Sequence, residues 1–168
     1  MQYALNGMPL HVLMVHFAVI VVPLAALCTL LTAAWPGARR WLGVVTPIIA
    51  LAALIAVPIT TEAGEWLQTR VGHTALIAAH AALGATLLPW AVATFAVAVL
   101  QWVWFRFFDA PGARYRALVR GRAARLSITV TLAAAVSVLA VGSSVTVVQI
   151  GESGSRAVWT GSFSPNPK

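Results

Sequence analysis

Four long runs of apolar residues, separated by short polar or basic segments, constrain this chain more than any other feature. A helix needs roughly 20 apolar residues to cross the hydrocarbon core of a bilayer. Lipid offers no partner for unpaired backbone groups, so each run has to be helical. The sequence therefore predicts an all-α bundle of four transmembrane helices in a single domain over residues 1–168, with spans at approximately 10–35, 41–61, 74–105 and 126–150.

Composition argues against a soluble domain. Apolar residues make up 60% of the chain and charged residues 9%, against roughly 25% charged residues in a typical soluble domain. The net charge of +7 would by itself suggest a nucleic-acid partner. The basic residues, however, lie outside the apolar runs, most of them in the segments between the runs, which is typical of a membrane protein. We therefore expect the lipid bilayer, and no nucleic acid, as the partner of this chain.

The basic residues predict the orientation of the spans. Eight of the eleven lysine and arginine residues lie in the first and third connections: Arg39, Arg40, Arg106, Arg114, Arg116, Arg120, Arg122 and Arg125. The remaining three are Arg70, Arg156 and Lys168. Cytoplasmic connections carry an excess of basic residues, so both termini are expected on the extracytoplasmic side of the inner or plasma membrane. The segment 114–125 is expected to lie on the anionic lipids of the inner leaflet.

The other ionisable residues gather in the opposite half of the predicted bundle. They comprise all four histidines and three of the four acidic residues: His11, His16, His73, His80, Glu62, Glu65 and Glu152. At a rise of roughly 1.5 Å per residue, His16 lies about 9 Å and His80 about 12 Å inside the span boundaries. An ionisable group within a span is costly and usually faces the bundle interior. His16 and His80 therefore form a predicted interior pair at matched depth.

This pair suggests two kinds of cofactor site. Imidazole is a good ligand for haem iron and for other transition metals, so His16 and His80 could be the axial ligands of a b-type haem. Gly84 lies one helical turn after His80 and would leave room for a flat group. Alternatively, a transition-metal ion could be held by His11, His16, Glu65 and His80.

The metal-ligand pattern is weak, and a simpler interpretation stays open. His11 and His16 are five residues apart, roughly 140° around a helix, so an undistorted helix would not aim both at one ion. The chain has no HxxxH or HExxH pair, and its single cysteine, Cys28, cannot form a CxxC clip. Neutral histidines can also hydrogen-bond across helices and only fix their packing.

Three short motifs resemble a known family. They are the run from Gly7 to Phe17 (GMPLHVLMVHF), the turn Gly64-Glu65-Trp66, and His80 in the third span; the tail from Ile150 to Trp159 is also similar to that of actinobacterial members. The chain thus resembles, over most of its length, the family of bacterial membrane proteins labelled domain of unknown function 2231.

The resemblance implies a four-helix membrane domain with no established activity. Some relatives look like membrane anchors joined to Rieske iron–sulfur domains, which points to electron transfer. On the family pattern, His11, His16, Glu65 and His80 match the recurring polar positions. The chain departs from that pattern at Val12 and Ala18, where the family usually has proline, so the entry to the first helix is expected to differ.

Two functions follow from these observations. The first is a haem or metal protein that serves electron transfer through the histidine and glutamate site. The second is a non-catalytic structural or accessory subunit of a respiratory or other membrane complex, suggested by the small and hydroxyl residues of the fourth span, which let helices pack closely. No nucleophile, base and oxyanion arrangement is visible, which argues against a hydrolase, and a role other than that of an enzyme is favoured.

Overall fold

The computed structural model describes residues 3–162, so Lys168 lies outside the described residues. Six helices make up almost all of this part: α1 Leu10–Ala34, α2 Pro36–Leu42, α3 Val45–Gln68, α4 Ala75–Ala85, α5 Leu87–Val103 and α6 Arg122–Trp159. A hairpin of β1 Ala4–Leu5 and β2 Met8–Pro9 precedes α1. A π-helical turn, Trp104–Asp109, continues α5, and a 3₁₀ turn, Arg116–Leu118, precedes α6.

Four helical paths are long and apolar enough to cross a membrane, which confirms the prediction of an all-α bundle with four such helices. They are Leu10–Ala34, Val45–Gln68, Ala75–Asp109 and Arg122–Trp159. In the bundle, α1 packs against α3 and α6, α5 packs against the same two helices, and α4 packs against α6 and α3.

The interior of the bundle is built from small side chains. Ala25 and Ala63 are completely buried. Many other buried positions are also alanine, including Ala50, Ala53, Ala56, Ala91, Ala98 and Ala140. Small residues let helix backbones approach closely, which is how helices gain contact area when lipid is as apolar as the protein. The core therefore depends on close backbone contact and little on large side chains.

Large apolar side chains cover the outside instead. Ile20 is 67% exposed, Val138 65% and Leu100 57%. In a water-soluble bundle such side chains would be buried at a gain of roughly 1.5–3 kcal/mol each. Their exposure around the whole bundle is the pattern of a lipid-facing surface, so the chain is a multi-pass membrane protein.

The second long helix differs from its predicted span. Trp41, the expected start, belongs to the short helix α2, and α3 begins only at Val45 after Gly43, whose φ is 34°. At the other end, α3 continues beyond Thr61 to Gln68. Gly64 was expected to mark the turn, but it lies inside α3, where it accommodates a side chain of α1.

The last two spans are longer than hydropathy alone predicted. The third path is interrupted at Thr86, three residues before Pro89, whose missing N–H cannot bond to the helical turn before it. The fourth helix runs from Arg122 to Trp159 and not only over 126–150. A helix satisfies its own backbone, so it can continue through the polar interface after the apolar residues end.

A β-hairpin at the start of the described chain was not predicted. Ala4 pairs with Pro9 and Leu5 with Met8. The turn between them is Asn6-Gly7, with φ of 51° and 80°. Asn-Gly favours this two-residue turn because both positions need positive φ. The Asn6-Gly7 dipeptide could therefore have predicted this hairpin from the sequence.

Candidate functional site

One end of the bundle collects the polar side chains that the sequence singled out. It is formed by the hairpin, the start of α1, the last turns of α3 and α6, and α4. We call it the histidine end. Tyr3 contacts Glu62 here and His80 contacts Ser153, so the first and last described residues of the chain lie at the same end of the bundle.

His11 is the second residue of α1, and its side chain packs against α3. Its Nδ1 lies 2.9 Å from the backbone oxygen of Thr60. The ring covers Gly64, where an added Cβ would lie 2.9 Å from the His11 Nδ1. Such an approach is too close for a real side chain, so the glycine at position 64 makes room for the imidazole.

His80 lies in α4, and its side chain packs against the end of α6. Its Nδ1 is 3.0 Å from Ser153 Oγ. A Cβ added at Gly154 would lie 3.0 Å from the His80 Cε1. Each of the two histidines is therefore held in the same way, by a hydrogen bond through Nδ1 and by a glycine of a neighbouring helix under the ring.

The two rings meet each other. Their centroids are 6.2 Å apart, and the ring planes make an angle of 80°. Both residues are half-buried. The structure thus brings together His11 and His80, which the sequence analysis had grouped only within the alternative four-ligand metal site.

The hydrogen bonds assign the tautomer of both rings. The Thr60 carbonyl can only accept, so the His11 Nδ1 carries a proton and donates it. The Ser153 hydroxyl donates its single proton to the Ile150 oxygen at 2.8 Å, so Ser153 Oγ accepts from the His80 Nδ1. In the neutral form, both Nε2 atoms then carry a free lone pair, the state in which imidazole binds metals.

In the described part of the chain, the other residues predicted to hold a metal or haem make no hydrogen bond to this histidine pair. His16 is exposed, and its Nδ1 donates to the Val12 oxygen of its own helix at 2.6 Å. Glu65 is exposed on α3 and makes no side-chain hydrogen bond among residues 3–162. Gly84 has open space where a Cβ would stand, but the glycine against the His80 ring is Gly154.

The four predicted metal ligands do not form one cluster. Residues 3–162 contain no group of three or more histidine, cysteine, aspartate or glutamate side chains that could hold a metal ion. The imidazoles that do meet are the pair from α1 and α4. A haem between His16 and His80 stays a prediction.

A tyrosine–glutamate contact lies beside this pair. The Tyr3 hydroxyl donates to Glu62 Oε2 at 2.8 Å, and the Tyr3 ring meets Trp66 edge to face with centroids 6.4 Å apart. The pKa of Tyr3 is raised, chiefly because its hydroxyl donates a hydrogen bond to the Glu62 carboxylate, which favours the protonated form. The contact ties the hairpin to α3 next to the helix turn that holds His11.

A surface cavity lies between α4 and α6 at the histidine end. Its volume is about 340 Å³, and it is lined by residues of α4 and α6, namely Leu76, Ala79, Leu83, Gln149, Glu152, Ser153 and Arg156. Ser153 is also the partner of His80. The cavity therefore lies next to the residue that holds the His80 ring, although neither histidine lines it.

No family model matches the chain, and neither does any curated protein or solved structure. The resemblance described for the run Gly7–Phe17 therefore stays a prediction. What this chain can do has to be argued from the geometry of the histidine end.

Several residues of this site escaped sequence analysis. Ser153 and Thr60 carry no pattern that points to a histidine partner. Gly64 and Gly154 offered a clue, because a glycine in the last turns of a span leaves space that a side chain at the same level can fill. That side chain could not be named, since hydropathy does not tell which helices are neighbours.

Proposed function

We propose that the chain is a multi-pass protein of the cell membrane that binds a transition metal, as a single ion or as haem iron, through the Nε2 atoms of His11 and His80, and that this site serves electron transfer. The observation that carries the proposal is the pair of Nδ1–H donors that leaves two Nε2 lone pairs on adjacent rings.

A metal role would use the ring nitrogens that packing leaves unused. The hydrogen bonds of the two rings to Thr60 and Ser153 already join neighbouring helices. Here both Nδ1 protons are already used by Thr60 and Ser153, so neither Nε2 can donate in the neutral state. A metal bonded to imidazole nitrogen at roughly 2.0–2.1 Å on each side is compatible with centroids 6.2 Å apart.

The surroundings supply the remaining requirements of such a site. Metal-binding histidines usually donate their second N–H to a carbonyl or another acceptor, which fixes the ring and raises its basicity. Both histidines do so. A bound iron or copper would supply the capacity to accept and release one electron, while the chain positions the rings. By the excess of basic residues at the other end, the histidine end would face the extracytoplasmic side.

Purified protein tests the proposal by optical spectroscopy and by elemental analysis of the metal. Expression with haem and metal supplied should yield a Soret band or a stoichiometric metal ion, and the two readouts distinguish haem from an ion. His11→Ala and His80→Ala should each abolish binding. His16→Ala is the matched control, because His16 is exposed and bonds only its own helix.

Other outcomes would overturn the assignment. Loss of binding in His16→Ala with retention in His11→Ala would favour the pairing of His16 with His80. Wild-type protein without a Soret band and without metal would leave the histidine pair as a packing element.

A second function is favoured by the outer face of α6. Only 17% of the most apolar stretch of α6 is buried, whereas 39% of the corresponding stretch of α1 is buried. Val138, Val141, Val145 and Val148 are exposed and recur at spacings of three and four, which is the spacing of a helix–helix seam. An accessory subunit of a respiratory or other membrane complex would use such a face.

Replacement of these valines tests the subunit role independently of the histidines. Val141→Trp and Val145→Trp, which add bulk on the seam, should release partner proteins during purification in mild detergent. Ile20→Trp, on the exposed face of α1, is the control. A chain that purifies without partners before any substitution would rule out this role.

A further inference from the structure

The opposite end of the bundle contains a cavity lined by arginines. Its volume is about 340 Å³, and it lies between the π-helical turn and the start of α6. The lining side chains are Asp109, Arg116, Arg122, Arg125, Leu126 and Thr129. Ligand pockets of roughly 300–1,000 Å³ are common, so this cavity has the size for a small headgroup.

Two of the arginines are held in place by backbone oxygens. Arg116 donates to the Asp109 oxygen, and Arg125 donates to the Val119 oxygen at 3.1 Å. Both are half-buried. A guanidinium has five N–H donors, so each keeps most of its donors free while its position is set before any ligand arrives.

The charge in the cavity is not neutralised by the chain. Three guanidinium groups face it with one carboxylate, Asp109. That carboxylate also acts on Arg39 outside the cavity, where burial lowers the pKa of the guanidinium and the charge of Asp109 opposes the shift. Within residues 3–162 no carboxylate lies within salt-bridge distance of Arg116, Arg122 or Arg125.

The rest of the lining suits an anion attached to an apolar group. Thr129 Oγ1 accepts the Trp104 indole N–H at 3.0 Å, so its own proton remains available to donate into the cavity. Leu126, where the apolar part of α6 begins, is 60% exposed. The backbone amides of the first turn of α6, which begins at Arg122, have no side-chain cap, as is usual for donors at a helix start that await a partner.

We propose that this cavity binds a phosphate group through Arg116, Arg122 and Arg125. Guanidinium groups pair with phosphate oxygens through two parallel hydrogen bonds, which a point charge cannot do. The phosphate would come from an anionic lipid headgroup, or from free inorganic phosphate reaching the same donors. The site is distinct from the histidine pair and does not depend on the metal proposal.

Native mass spectrometry of protein in neutral detergent tests the site. Dioleoyl phosphatidylglycerol is titrated, with dioleoyl phosphatidylcholine as the zwitterionic control lipid and inorganic phosphate as a competitor. We expect preferential retention of phosphatidylglycerol. In Arg122→Gln/Arg125→Gln its affinity should fall by more than about fivefold, since one arginine near an anionic lipid contributes roughly this factor.

Arg114→Gln/Arg120→Gln is the matched control, because it removes the same charge from the same segment at two exposed positions outside the cavity. It should change the affinity by less than about twofold, as expected for screened surface charges. Arg122→Gln alone serves if the first double variant fails to fold, because Arg122 is exposed and lies at the helix start.

The possible outcomes separate the two phosphate sources. Displacement of phosphatidylglycerol by inorganic phosphate, with the same dependence on Arg122 and Arg125, identifies a site for the phosphate group itself. Retention of the lipid in the presence of phosphate identifies a headgroup site. Equal losses in the two double variants would show only a generally basic surface and would overturn the proposal, as would equal binding of both lipids.

Discussion

His11 of α1 and His80 of α4 lie edge to face, and each ring lies against a glycine of another helix, Gly64 of α3 for His11 and Gly154 of α6 for His80. Their geometry is therefore not a property of two residues alone. It depends on how closely α3 and α6 approach the rings at Gly64 and Gly154. This dependence allows the pair to be disturbed without touching either imidazole.

Gly154→Ala should weaken metal binding while the bundle stays folded. The new Cβ would lie 3.0 Å from the His80 Cε1, so the ring has to move. Alanine is otherwise favoured over glycine in a helix by about 0.5–1 kcal/mol. Metal titration and thermal unfolding of the same sample measure both effects.

Gly151→Ala is the control for this substitution. Gly151 lies on the same helix, but nothing lies within 4 Å of an added Cβ. We expect equal or slightly higher stability and unchanged metal affinity. If both alanine variants bound metal as the wild type does, the His80 ring would not need its observed position.

Gly142→Ala should destabilise the bundle by about 1–3 kcal/mol, as overpacking of a close contact does. An added Cβ would overlap the Trp90 indole, which packs from α5 onto α6 at this point. The free energy of unfolding in mixed detergent micelles measures the loss. Adding Trp90→Phe should recover part of the loss, because the smaller ring leaves room; additive effects of the two substitutions would show that they do not share this contact.

Gln101→Met should leave the free energy of unfolding nearly unchanged or raise it. Gln101 is completely buried, its Nε2 donates to the Thr29 oxygen at 3.3 Å, and its Oε1 has no partner among residues 3–162. Replacing a poorly satisfied polar group by an apolar one of similar size costs little. Gln101→Glu should destabilise strongly, since it adds a charge in the span. A large loss in Gln101→Met would show that the amide stabilises the bundle more than its single hydrogen bond to Thr29 indicates.

Tyr3 should titrate above the ordinary tyrosine range, and Glu62→Gln should lower its pKa. Because the folded-state pKa is raised, the stabilisation from this contact is complete below the pKa of a free tyrosine, roughly 10, and is lost as the pH rises through the higher folded-state value. Absorbance at the tyrosinate band follows the titration, with Tyr3→Phe subtracted.

Glu65→Gln is the control for the tyrosine titration, because it neutralises an exposed carboxylate on the same helix that makes no hydrogen bond to Tyr3. We expect no change in the Tyr3 titration. An equal effect of both glutamine variants would assign the shift to general surface charge.

The sequence by itself determined the bundle of four apolar helices. Hydropathy suffices for this because backbone groups in lipid must be satisfied within each helix, so a run of apolar residues specifies both the conformation and the environment. It was less informative at the ends of the spans, as Gly64 and the polar end of α6 show. At the ends of the spans, water can hydrogen-bond to backbone groups that no helix pairs. The residue composition there no longer distinguishes a helix from a turn.

Only the tertiary structure decided which histidines meet. Depth along the chain favoured His16 with His80, but depth says nothing about the direction in which a side chain leaves its helix. His16 is exposed, whereas His11 faces Gly64 and reaches His80. Which histidine faces the interior depends on how each helix is rotated and which helices it contacts. Small residues on several segments determine this together, so no pattern within one segment predicts it.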